Sequence, residues 1–319
     1  MLSARSPEAR IRLLTLAALV IMVAAYFTPI WWVSLTAPNY PKESFPDGIR
    51  IHFHFDGVKN GCKGILVKKD EVFTGELGGE NEAELRGQAA QAQTLDCLHE
   101  MNTINHYVGM YPIEVGAPVE RVLSRYFHGF FTVMLLAFMM PARRTQIGVL
   151  AAGFALLLVW MVGEQMFMGR MEQALANYRE AAGTYFREPE RIARWSDNLR
   201  FALQAAMAGL AVAMGILVAG VWKSRNFSLL LALVPALLPV FFLIDYAGWL
   251  WFFGHNLHPW GAFTVKPFMP TVFGEGKVAQ FSTYSYPYYG YALLLAVMAL
   301  LLPAILLRRK RLRGEAGTV

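Results

Sequence analysis

The chain has 319 residues, of which 55% are hydrophobic and 16% charged, and its formal net charge is +6. A soluble domain carries about 25% charged residues and a disordered chain needs low hydrophobicity with high charge, so both classes give way to a polytopic membrane protein. A basic excess speaks for nucleic acid only when it gathers in one patch; here it is dispersed between apolar runs and reads as a topology signal, with no nucleic-acid partner implied.

A helix rises 1.5 Å per residue, so about 20 apolar residues cross a bilayer. The first such run, Leu13 to Leu35, contains no charge. It outlasts the roughly 7–15-residue core of a cleaved signal peptide and continues through Tyr26, Pro29, Trp31 and Trp32, which reads as a retained anchor ending in an aromatic belt. Five more follow: Val122 to Pro141, Thr145 to Phe167, Phe201 to Trp222, Phe227 to Phe253 and Tyr288 to Leu307.

Lys and Arg in short loops are retained in the cytoplasm. Arg5, Arg10 and Arg12 precede the first run, Arg143 and Arg144 join the second and third, Lys223 and Arg225 join the fourth and fifth, and Arg308, Arg309, Lys310, Arg311 and Arg313 follow the sixth. Only Glu8 and Glu315 oppose them. The expected fold is therefore an all-α membrane core of six transmembrane helices, N-in and C-in, with a small α+β outer (periplasmic) domain between helices one and two. The division is 1–35 for the N-terminus and first helix, 36–121 for the outer domain and 122–319 for the remaining bundle, with helical arms at 168–200 and an outer loop at 254–287. Such a chain lies in a bacterial inner membrane. Its inner loops leave no room for a nucleotide-binding domain, no GxxxxGK[ST] motif occurs, and an ATP-driven pump is excluded for this chain alone. The halves show no internal repeat, so a transporter has no positive support.

In the outer domain, Ile49, Ile51, Phe53 and Phe55 alternate with Arg50, His52, His54 and Asp56, the period of a half-buried strand with both histidines on its polar face. A turn near Lys59, a second strand over Gly64 to Lys68 and a helix over Asn81 to Leu98 follow. Cys62 and Cys97 are the two cysteines. Both fall in this domain and read as a disulfide, with paired metal thiolates as the alternative. No CxxCH is present, which rules out covalent c-type haem.

The run His99 to Met110 concentrates polar chemistry. Imidazole and thioether suit copper, so His106 and Met110, with His99 and Met101, are candidate ligands; packing and hydrogen bonding are the simpler reading of the same residues. His255 and His258 form a second group, near His128 at the start of the second run. Glu164 and Asp245 lie inside spans and are either functional carboxylates or ion pairs, with Arg125 and Arg170 as partners. No histidine pair lies deep enough for a transmembrane haem b. Tyr284, Tyr286, Tyr288 and Tyr289 read as an interfacial belt or a docking face.

Ala37-Pro38-Asn39-Tyr40-Pro41, the core Asn105-His106-Tyr107-Val108-Gly109-Met110, and Gly254-His255-Asn256-Leu257 followed by Lys266-Pro267-Phe268-Met269-Pro270 resemble a family of six-span bacterial membrane proteins encoded beside nitrous oxide reductase. The resemblance implies an accessory protein, not itself an enzyme, serving a copper-dependent respiratory enzyme through metal handling or electron-transfer docking. The Phe55 to Gln93 region is longer here than in that pattern. A quinol-interacting electron-transfer subunit, with His128, Glu164 and Asp245 as proton acceptors and quinone as ligand, is the alternative, and a purely structural subunit the third. The lipid bilayer and a protein partner are expected in each case.

Overall fold

The structure, a computed structural model, describes residues 6–42, 45–63, 95–113, 118–259, 261, 265–278 and 280–316. Helix α1 (Pro7–Tyr26) begins where Ser6 accepts a hydrogen bond from the Ala9 amide at 3.2 Å, with Pro7 in the first turn where its missing N–H costs nothing. Its charge-free stretch stops being helical at Tyr26, nine residues before the expected end at Leu35. Pro29 cannot donate to the helix and biases Thr28 toward extended backbone, and the aromatic and β-branched run that follows becomes strand β1 (Trp31–Thr36).

Strands β2 (Ile49–His54) and β3 (Gly57–Asn60) pair antiparallel with β1 and with each other in turn. The hairpin turns at Phe55 and Asp56 rather than near Lys59, which instead pairs with His52 inside the ladder. The expected strand at Gly64 to Lys68, and the part of the expected helix from Asn81 to Thr94, lie outside the described residues. Helix α2 (Cys97–Tyr107) starts with the Asp96 carboxylate accepting from the amides of Leu98 and His99 at 3.0 and 3.1 Å. A Cys62–Cys97 disulfide ties the residues after β3 to the first residue of α2. Asn60 braces it, its Oδ1 accepting from the amides of both cysteines.

The bundle continues with α3 (Pro118–Phe138), α4 (Arg143–Gly163), a π-helical turn (Glu164–Met168), α5 (Arg170–Tyr185), α6 (Pro189–Lys223), α7 (Leu230–Ala236), α8 (Leu238–His255) and, after strands β4 (Gly274–Val278) and β5 (Phe281–Pro287), α9 (Tyr289–Ala316). Helix α1, the stretch Arg143–Met168, α6 and Tyr289–Gly314 are each long and apolar enough to cross a membrane. The segments Arg225–Ala236 and Leu238–His255, bent by 53°, make a fifth candidate if taken as one span. Pro235 and Pro239 flank the bend and remove the backbone donors that would keep it straight. Helix α3 has 21 residues but carries Glu120, Arg121, Arg125 and His128 in its first half, which shortens its apolar stretch.

The sheet runs β3-β2-β1-β5-β4, so its centre joins a strand from between α1 and α2 to one from the loop between α8 and α9. Tyr284 and Tyr286 belong to β5, and Tyr288 and Tyr289 lead into α9. Trp31 anchors the joint: its Nε1 donates to Ser285 Oγ at 2.8 Å, and its ring packs against Phe242, Tyr246 and Tyr291. Val33, Leu35, Ile49 and Ile51 form a core with Met101 and Ile104 of α2 and Tyr246 of α8, separate from the larger core between the helices. On the other face of β1, Trp32 lies beside Tyr286 and under the Arg50 guanidinium, and His52 stacks on Tyr288.

Candidate functional site

Between the sheet, α2 and α8 lies a cavity of about 160 Å³. It is largely apolar because each element turns its buried face inward: Val33, Ile51 and Phe53 from the strands, Met101 and Ile104 from α2, and Phe242, Tyr246 and Trp249 from α8. Into this lining come His54, Asn105, Glu120 and Asp245. Glu120, two residues before the expected span at Val122, accepts from Trp249 Nε1 at 2.6 Å through Oε1. Its Oε2, together with Asn105 Nδ2 and His54 Nδ1, is buried with no hydrogen-bond partner among the described residues. A buried polar atom left unpaired costs roughly 1–3 kcal/mol, so a hydrogen-bonding occupant of this cavity would relieve a real destabilisation.

Burial, then the charge of nearby Asp245, pushes the Glu120 carboxyl above the ordinary carboxylate range. Burial pulls His54 down to about 4, the charge of Lys59 adding to it, so the ring is neutral at pH 7 and offers one acceptor nitrogen. Asp245 lines the cavity yet is exposed, on the same stripe of α8 as Phe241, Ile244 and Trp251. The cavity thus reaches the surface of the bundle along an apolar helix face, where a lipid-soluble molecule has access.

Helix α2 ends at Tyr107, and Gly109 takes a φ of +80°, so Met110 does not lie one helical turn from His106. Met101 and Met110 face the cavity, whereas His99 bonds the Tyr185 hydroxyl at 3.2 Å and His106 packs on the rings of Tyr185 and Phe186. The four do not converge on one point. His255 lies exposed on the Trp251 ring, its Nδ1 2.7 Å from the Trp251 carbonyl, while buried His258 reaches Glu188 with its Nε2 at 2.9 Å. Among the described residues no group of three or more His, Cys, Asp or Glu side chains is placed to hold a metal ion.

His128 packs on the Tyr26 ring, 4.7 Å between centroids. Glu164 sits in a cage: Arg125 and Arg170 each approach to 3.2 Å and the Tyr126 hydroxyl donates at 2.6 Å. The three proton-acceptor candidates therefore occupy different settings, and of them Asp245 alone belongs to the cavity.

Two of the sequence motifs do meet. The Gly109 carbonyl oxygen accepts from the His258 amide at 2.6 Å, and a β-carbon at Gly109 would come within 2.5 Å of the His258 carbonyl oxygen. Their junction packs under the tip between α5 and α6, where Phe186 stacks on His258 at 4.5 Å. Glu120 was not singled out from the sequence, where its signal was an acid directly ahead of a span, and Asn105 was named there only as part of the motif around His106. Compared with protein-family models, curated proteins and solved structures, the chain matches none of them.

Proposed function

We propose that this chain is a six-span inner-membrane accessory protein, both termini cytoplasmic, whose cavity binds a lipid-soluble molecule of the quinol class on the periplasmic side. The observation that carries this reading is the meeting of three unpaired buried polar atoms on one apolar cavity open at Asp245. A quinol ring matches such a wall with its apolar faces and its hydroxyls at opposite edges: one hydroxyl donates toward the Glu120–Asp245 pair, the other faces His54 and Asn105. On oxidation the two electrons pass to a redox centre of a partner protein, and the two protons leave through the carboxylates at the mouth. Copper, implied by the family resemblance, enters as that partner's centre; His106 and His258 instead brace the loops beneath the α5–α6 tip.

Quinone should co-purify in mild detergent and appear in a solvent extract, and a short-chain quinol should quench tryptophan fluorescence. Asp245→Asn with Glu120→Gln should weaken that quenching at least about tenfold, the worth of one charge-assisted hydrogen bond. A protein free of quinone whose fluorescence ignores added quinol overturns the reading. Reporter fusions at Arg143 and Lys223 should give cytoplasmic signals; a periplasmic signal at either overturns the orientation.

A further inference from the structure

The motifs Gly254-His255-Asn256-Leu257 and Lys266-Pro267-Phe268-Met269-Pro270, separate along the chain, meet in the fold. The Phe268 amide donates to the Gly254 carbonyl oxygen at 3.1 Å. A β-carbon at Gly254 would collide with the Phe268 carbonyl oxygen and crowd Pro270 Cδ at 3.0 Å, so only glycine lets the two backbones lie this close. The stretch from Val265 to Thr271 belongs to no helix or strand, and Pro267 and Pro270 bias Lys266 and Met269 toward extended backbone. Side chains of an extended segment alternate between its two sides. Phe268 and Pro270 accordingly line the quinol cavity, whereas Met269 between them is 47% exposed. Thr271 fixes the far end of this strap, its hydroxyl lying against Gly276 of β4.

The aromatic rings of the cavity wall fall into two sets. Phe53 and Phe242 pack on Tyr246, with centroids 5.0 and 5.9 Å apart, and Trp249 stacks on Phe253 at 5.5 Å, so these five already have ring partners. Phe268 from the strap and Phe281 from the start of β5 line the same cavity, are half-buried, and have no ring neighbour among the described residues. An aromatic ring gains from a second ring at about 4.5–7 Å beyond what burial of area alone provides.

We propose that Phe268 is the specificity-determining residue of the cavity, its ring stacking on the flat ring of the bound quinol, with Phe281 supplying a second ring contact. This rests on the quinol reading of the cavity and divides recognition in two. Glu120, Asp245, His54 and Asn105 read hydroxyls, which any apolar diol also carries; Phe268 reads the unsaturated ring between them. The strap, seated on Gly254, exists to bring that side chain to the wall.

The test uses a short-chain benzoquinol and its ring-saturated cyclohexanediol analogue, which keeps both hydroxyls and the tail. With the full-length protein, quinol binding is read by tryptophan quenching and analogue binding by how far the analogue relieves that quenching. The parent should prefer the quinol, and Phe268→Leu, which keeps apolar bulk and removes the ring, should cut that preference about threefold to tenfold. Met269→Leu, on the outward side of the same strap, should leave it unchanged. Gly254→Ala pushes the strap off the end of α8 without altering a lining side chain; it should lower the preference in the same direction and keeps the test valid if Phe268→Leu fails to fold. A parent that binds quinol without preference, full preference in Phe268→Leu or Gly254→Ala, or an equal loss in Met269→Leu overturns the role of Phe268 and leaves the quinol reading standing. A parent that binds neither compound overturns both.

Discussion

Two buried carboxylates on this chain have opposite surroundings. Glu164 meets two guanidiniums and a tyrosine hydroxyl, so both of its oxygens are partnered. Glu120 has the Trp249 indole on one oxygen, nothing among the described residues on the other, and a second carboxylate nearby. A carboxylate whose charge is fully answered holds helices together; one whose charge is half answered beside an open cavity is poised for an occupant. The positions of the two acids along the chain do not reveal the difference, because it lies in what the neighbouring helices bring to them.

The largest effect should come from cutting the frame of the cavity while leaving the Glu164 cage intact. The bridge closes a loop with a sequence separation of 35, and Cys62→Ser should remove about 3–4 kcal/mol by the chain-entropy argument. Denatured, oxidised protein should show no free thiol, and quinol quenching should fall with the bridge; detecting two thiols refutes this.

Glu164→Gln leaves Arg125 and Arg170 facing a neutral amide. With both arginines partly exposed the loss should be about 2–3 kcal/mol, below the range for a fully buried pair, and visible as a lower thermal midpoint. Gly109→Ala should cost about 1–3 kcal/mol, because positive φ and the approach to His258 both oppose a β-carbon. Limited proteolysis should then reach the 254–259 loop sooner.

Glu120→Gln should be the mildest of these, within about 1 kcal/mol of the parent, since glutamine still accepts from Trp249 and removes charge repulsion. A midpoint drop as large as that of Glu164→Gln would erase the distinction between the two acids. Acid should act through His54, whose folded pKa of about 4 lies below the ordinary histidine value of 6.5. The unfolded chain then binds more protons between these values, so stability is complete above pH 6.5 and declines as pH falls toward 4. His54→Gln should flatten that decline in a pH series of thermal midpoints.

Much of this was legible along the chain because its causes are local. Apolar length marks the helices, Ser6 and Asp96 cap theirs, and the alternation at Ile49 to Phe53 marks β2 with its apolar side toward the core. Two cysteines in one small domain pointed to their bridge. Arg125 and Arg170 were named as partners for Glu164 because charge in an apolar helix seeks an opposite charge nearby.

What the sequence could not decide depends on partners far along the chain. Trp31 to Leu35 is apolar enough to prolong a helix, and it becomes the middle strand because Ile49 to Phe53 and Ser282 to Pro287 supply both of its hydrogen-bonded edges. Met110 leaves His106 because a glycine turn fits against His258, more than a hundred residues later. The cavity is a property of no segment: its carboxylates come from α3 and α8, its amide from α2 and its imidazole from β2, and only tertiary packing, driven by burial of the sheet's apolar face, sets them around one space.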